Sequence, residues 1–181
     1  VKIQVEFNPA AVAMYRQLGY ESRQLKKEDF RNDAVDAGEV GSGQAVTALY
    51  ELQIGSRKAE VGSRKAEGGG QQEMGADTIA VVRVRYRRTD NDKVEEIEQP
   101  VKLADVAKSF DEADCRFRLA ACAAEFSEIL RASPFAQGNE FKDVAEVLRP
   151  AALDLSLDSQ VQELLRLISS ASGMARGAMK E

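Results

Sequence analysis

Four carboxylates fall within one short stretch, Asp29, Asp33, Asp36 and Glu39, and they come nearest to a reactive or cation-binding set in this 181-residue chain. Oxygen ligands of this kind suit a hard cation such as calcium. Two of them converging in an apolar cleft could instead serve a hydrolase or transferase by general acid-base chemistry. The spacing is not that of an EF-hand loop, and acidic surface loops carry such residues without binding anything. The residues 29–39 are therefore read as a loop with no assigned catalytic, cofactor or metal role. Carboxylate chemistry on Asp33, Asp36 and Glu39 stands as the alternative.

The remaining chemistry is sparse. The chain has no His, so the commonest general base and transition-metal ligand are missing, and Ser-His or Cys-His catalysis and ordinary zinc sites are excluded within it. Cys115 and Cys122 share a helical pattern that separates them by about 10 Å along the axis, too far for a disulfide. They read as small apolar packing residues and leave the redox compartment open. The segment Gly38-Glu39-Val40-Gly41-Ser42-Gly43 lacks both the G-x-G-x-x-G pattern and the helix that phosphate cradling needs. Its glycines suit a tight turn or bulge before a strand. Asp154-Leu155-Ser156-Leu157-Asp158-Ser159 is superficially similar to a D-x-S-x-S metal-binding turn, but no buried strand precedes it and an amphipathic helix follows. Helix capping accounts for it better.

The elements that position these residues follow from periodicity. Val1, Ile3, Val5 and Phe7 alternate with Lys2, Gln4, Glu6 and Asn8, the pattern of a strand with one buried face. Met14 to Ser22 suits a second strand, although Ala10 to Leu18 could open a helix. Ala45 to Ile54 is rich in β-formers and reads as a central strand. Gly55 to Asp77 carries GSRKAE twice and then three glycines, a composition for a mobile loop near 55–77 joining two strands. Thr78 to Arg88 and Lys93 to Gln99 form a hairpin around Thr89, Asp90, Asn91 and Asp92. That loop sets Arg87 opposite Val94, Arg85 opposite Glu96, Val84 opposite Ile97 and Arg83 opposite Glu98. The arginine stripe Arg83, Arg85, Arg87 and Arg88 thus reads as a solvated, salt-bridged face and not as a nucleic-acid surface, with no aromatics interleaved for stacking.

From Ser109 the period becomes helical. Ser109 and Glu112 have capping-box spacing, and Phe110, Ala113, Phe117, Ala120, Ala121 and Ala124 mark the core face of a long, largely buried helix widened by Leu119, Cys122, Phe126 and Leu130. Asn139 can cap a second helix, limited by Pro150, and Ser159 with Gln162 opens a third, fraying from about Gly173. Strands first and helices last indicate an α+β fold, an antiparallel sheet or partial sandwich of about five strands followed by three C-terminal α-helices. The chain reads as a single domain, with a β-rich part over 1–100 and a helical part over 101–181, large enough to bury a core.

A hydrophobic fraction of 44% and charged fraction of 30% are ordinary for a globular protein, and no apolar run nears the ~20 residues of a membrane helix. Direct membrane insertion is not expected. A net charge of −5 gives no general attraction to nucleic acid. The opening Val1-Lys2-Ile3, already strand-like and without an initiator Met, suggests a piece of a longer protein.

Taken together, VKIQVEFNPA, YRQLGYESR, EDF, DAGEVGSG, VTALYE and FRLAACAAEFSEILRASPF resemble the C-terminal domain that follows the von Willebrand factor type A domain in a family of bacterial proteins. The resemblance spans Val1 to about Leu167 apart from the glycine-rich loop. At Gln44 the chain departs from the family, where a His in a GAGH-like segment is usual. The resemblance implies a non-enzymatic accessory domain with no cofactor, whose partners include the preceding type A domain of the same chain. It also implies a periplasmic or cell-envelope location through the full-length protein. Such a domain should show an exposed apolar sheet face or an unpaired edge at Val1 to Phe7.

Overall fold

Thr78–Arg87, TIAVVRVRYR, is the strand around which the first part of the chain is organised, because Ile79, Ala80 and Val81 are apolar on both faces and all buried. The computed structural model describes residues 1–20, 24–36, 38–41, 43–55 and 74–178, with side chains omitted for 176–178. Five strands precede three α-helices, as the α+β reading requires. Strands β1 (Lys2–Phe7), β4 (Thr78–Arg87) and β5 (Val94–Lys102) form one antiparallel sheet in the order β1-β4-β5. β2 (Val12–Leu18) pairs with β3 (Leu49–Ile54) in a second, two-stranded sheet. The described residues gather into two compact units, Val1–Val106 and Ala107–Glu181.

The hairpin register is the one read from the sequence, with Arg83 opposite Glu98, Val84 opposite Ile97, Arg85 opposite Glu96 and Arg87 opposite Val94. Asp92 takes a left-handed φ of 59° and the Asn91 side chain accepts the Lys93 N–H at 3.0 Å, which closes the turn. The Ala45–Ile54 run is corrected in two ways. It is not central, since β4 holds the middle of the larger sheet, and its strand begins only at Leu49. The last pair is Leu18 with Leu49, and beyond it Gly19 and Tyr20 both have positive φ, so the partner turns away and residues 45–48 have nothing to pair with. The same turn ends β2 at Leu18 instead of Ser22, and the helical option from Ala10 is not taken. Of the expected mobile loop, residues 56–73 lie outside the described residues.

In the second unit the core is made by α1 (Cys115–Leu130), α2 (Phe141–Asp154) and α3 (Ser159–Ala178). Cys122, Val144, Ala145, Leu148, Ala151, Ala152, Val161 and Ile168 form its buried cluster. α1 starts later than its sequence suggests. Phe110–Glu112 is only a 3-10 turn, and the Asp114 carboxylate accepts the Arg116 N–H at 2.9 Å as the true cap. Its inward stripe is Cys115, Leu119, Cys122, Phe126 and Ile129, with Phe117 outside; the alanines at 120, 121 and 124 are too small to decide which side faces in. The buried residues of this helix include Arg118, whose Nη2 reaches Asp154 at 3.1 Å, and Glu128, which accepts from Ser133 Oγ at 2.7 Å. The two cysteines are unbridged.

α2 runs through Pro150 instead of stopping there, because the lost N–H costs one hydrogen bond while Leu148, Ala151 and Ala152 keep that turn packed in the core. Asn139 does not cap it; its side chain donates to Glu125 Oε1 at 2.6 Å. Asp158 caps α3 by accepting the N–H groups of Gln160 and Val161, while Gln162 donates to the Ala152 carbonyl at 2.8 Å and not into a capping box. The helix continues through Ala178, past the fraying point expected at Gly173.

Candidate functional site

In the larger sheet the side that its sequence marks as polar is partly covered, and the apolar side is partly exposed. Alternation places Ile3 and Val5 on the face of Val82, Val84 and Ile97, and places Lys2, Gln4 and Glu6 on the face of Arg83 and Arg85. Periodicity alone would bury the first set, yet Ile3 is 42% and Ile97 56% exposed, whereas Lys2 is only 9% exposed. The cause is the acidic stretch. A 3-10 turn at Lys27–Arg31, anchored by the buried Phe30, is tied to the charged face.

Its ties run across all three strands. Lys2 Nζ on β1 donates to the carbonyls of Asp29 and Asn32 at 2.9 and 2.6 Å. Arg85 on β4 is paired with Asp33 at 3.0 Å, and Arg31 bonds Glu96 on β5 at 2.8 Å. Beneath the strap, the Arg83 guanidinium lies between Glu6 and Glu98, each 2.7 Å away. The Glu6 hydrogen bond is the largest reason that Arg83 holds its proton more firmly than usual. The hydrogen bond from Arg31 likewise holds the Glu96 carboxyl below the ordinary glutamate range. The salt-bridged face is therefore present as read from the hairpin, but it is covered at Arg83 and Arg85 instead of solvated.

The sequence-derived candidates separate in this arrangement. Asp33 is spent on Arg85, Asp29 contributes its backbone carbonyl to Lys2, and Asp36 and Glu39 are exposed. Among the described residues no three His, Cys, Asp or Glu side chains gather where they could hold a metal ion. Gln44 closes the glycine turn: its Oε1 accepts the Gly41 N–H at 2.8 Å, and Gly43 supplies a φ of 79°. At the D-x-S-x-S-like segment, Asp154 pairs with Arg118 and Asp158 caps α3.

Three residues that organise the face were not singled out from sequence: Lys2, Arg31 and Asn8. Asn8 is 4% exposed and clamps the end of β1, with Nδ2 donating to Thr78 O at 2.7 Å and Oδ1 accepting the Ala10 N–H at 3.0 Å. A signal for the inversion did exist. Arg83 sits directly opposite Glu98 and diagonally from Glu6 on the same face of the sheet, and Phe30 is an isolated aromatic inside an otherwise polar run. On the apolar face Ile3 and Ile97 are exposed, while Val5, Val82 and Val84 between them are half-buried. At one end of that face Phe7 is met by the rings of Tyr15 and Tyr50, with centroids 4.4 and 5.4 Å away.

The model of the family described as "Uncharacterized protein YfbK, C-terminal" matches residues 1–174. The chain is 32% identical over 176 residues to the uncharacterised protein YfbK of Escherichia coli (strain K12), covering 96% of this chain and 30% of that protein. It thus spans less than a third of the length of the relative it matches. No solved structure matches.

Proposed function

We propose a function from one established premise: the chain belongs to the family of YfbK C-terminal domains. Its role is that of a non-enzymatic accessory domain that packs the apolar face of its larger sheet against another domain of the same polypeptide. The observation that carries this reading is the inverted burial of the sheet. A covered Lys2 beside exposed Ile3 and Ile97 is a costly arrangement for a free-standing unit, and exposed apolar surface of this kind marks an interface. The resemblance to domains that follow a von Willebrand factor type A domain supports such a domain as the partner. The type A domain of the full-length protein would cover Ile3, Val5, Val82, Val84 and Ile97, and the full-length protein would work in the periplasm or cell envelope.

The test uses the chain and the separately produced type A domain of its full-length protein, with binding followed by calorimetry. Replacing Ile97 by Asp places a charge on the exposed β5 side of the face and should weaken binding by about a hundredfold. Undiminished affinity in Ile97→Asp, or no association of the two parts, overturns the reading.

A further inference from the structure

The two free edges of the larger sheet are built differently. Asn8 donates its backbone N–H to Ile79 O at 2.8 Å, one step beyond the Phe7–Ala80 pair. Hydrogen-bonded and non-bonded pairs alternate along an antiparallel ladder, so Lys2, Gln4 and Glu6 exchange bonds with β4. The N–H and C=O groups of Ile3, Val5 and Phe7 then point away from the sheet, and no backbone group among the described residues meets them. On the far edge, Arg88 donates to Lys93 O at 2.8 Å, which by the same parity turns the backbone of Glu96, Glu98 and Pro100 outward. That edge defends itself. Pro100 offers no donor, and the acidic run would bring like charges together if β5 met another copy of itself.

β1 has neither defence, and its sequence is complementary to itself. Turned antiparallel about Gln4, Lys2-Ile3-Gln4-Val5-Glu6 sets Lys2 opposite the partner's Glu6, Ile3 opposite the partner's Val5 and Gln4 opposite the partner's Gln4. Opposite charges and paired β-branched residues are the favourable cross-strand combinations. Parity agrees, since Ile3 and Val5 both present outward backbone and would exchange two hydrogen bonds at each such pair. Lys2 and Glu6 are held internally by the Asp29 and Asn32 carbonyls and by Arg83, so their contribution is the match of sign in this register. Val1 is engaged separately, its amino group donating to Gly38 O at 2.8 Å, so pairing begins at Lys2.

We infer that the β1 edge is a self-association site, where a second copy of this chain joins antiparallel about Gln4 and doubles the sheet. The two-fold axis runs between the Gln4 side chains, and the apolar faces of the two copies become continuous. This goes beyond the proposed function, because it uses the edge of the sheet and a second copy instead of the face and the type A domain.

Sedimentation of the 181-residue chain over a range of concentrations tests it, and a concentration-dependent dimer is expected. Val5→Pro removes one outward N–H and leaves the bonds to β4 intact, so it should abolish the dimer while the monomer keeps its circular dichroism spectrum. Gln4→Lys and Gln4→Glu each place like charges at the axis and should each weaken self-association about tenfold, while an equal mixture of the two should recover it. A monomer at every concentration, a dimer indifferent to Val5→Pro, or a mixture that fails to recover overturns the inference. The two readings fail separately. A monomeric chain that binds the type A domain through Ile97 sinks only this one, and a Gln4-dependent dimer indifferent to Ile97→Asp in type A binding sinks only the other.

Discussion

In the helical unit, Leu148, Ala151 and Ile168 have no solvent exposure and sit among residues from all three helices, so its apolar stripes meet one another. In the sheet unit Ile3 and Ile97 of the apolar stripe lie exposed, and the ion pairs of Arg83 are what lies covered. The difference teaches that periodicity names two faces and does not name the one that is hidden. For an amphipathic helix with neighbours of its own, the apolar side is the buried side. For this sheet a local segment closes over the charged side, and alternation alone gives no sign of it.

The comparison can be broken most forcefully in the helical unit. Leu148→Ala should cost about 2 to 5 kcal/mol, read by hydrogen exchange of the amides in residues 115–178, since the site is fully enclosed and cannot collapse without cost. A loss below about 1 kcal/mol would mean that this unit is no better closed than the other. Next in size is Arg85→Glu. The new carboxylate would face Glu96 and Asp33 under the strap, and thermal unfolding should show a loss of about 1 to 2 kcal/mol after allowance for partial solvent screening. Unchanged thermal stability would contradict the hairpin register as well as the covered face.

Acid gives a smaller and more specific effect. The Glu96 carboxyl is lowered first by its hydrogen bond from Arg31, so the folded state binds that proton more weakly than the unfolded one. Its contribution is complete above the ordinary glutamate range and is lost as pH falls through the lowered folded value. Melting temperatures of the wild type and Arg31→Gln should therefore differ at neutral pH and converge in acid. Parallel curves would show that the strap adds no linkage. The smallest effect belongs to the open face: in the isolated chain Ile97→Asp should change stability by no more than about 0.5 kcal/mol, as at other exposed positions. A loss of several times that would place Ile97 in a core and erase the contrast.

Much of the fold was legible because its signals are local. The Thr78–Gln99 hairpin declared its register through Asp90-Asn91-Asp92 and the matching of arginine with glutamate, and the order of strands before helices fixed the class. Boundaries that depend on distant partners were not legible. β3 begins only where Gly19 and Tyr20 no longer lead β2 away, and α2 survives Pro150 because Leu148 and Ala152 are packed from outside the helix. The candidate site was half legible. Asp33 and Asp29 stood out as acids, but only the fold discloses that one neutralises Arg85 and the other lends its carbonyl to Lys2. Nothing in a run of acidic residues distinguishes a strap from a cation loop until the basic residues beneath it are placed.

Lys2 gives the covered face a chemical meaning. Its ammonium is held by two carbonyls at 2.9 and 2.6 Å, while Lys27, on the strap itself, leaves 74% of its side chain in solvent. A reagent that acylates amines can reach Lys27 directly, and Lys2 only when the segment above it has lifted. The second residue of the chain is thus a built-in timer, whose modification would record how often the strap opens.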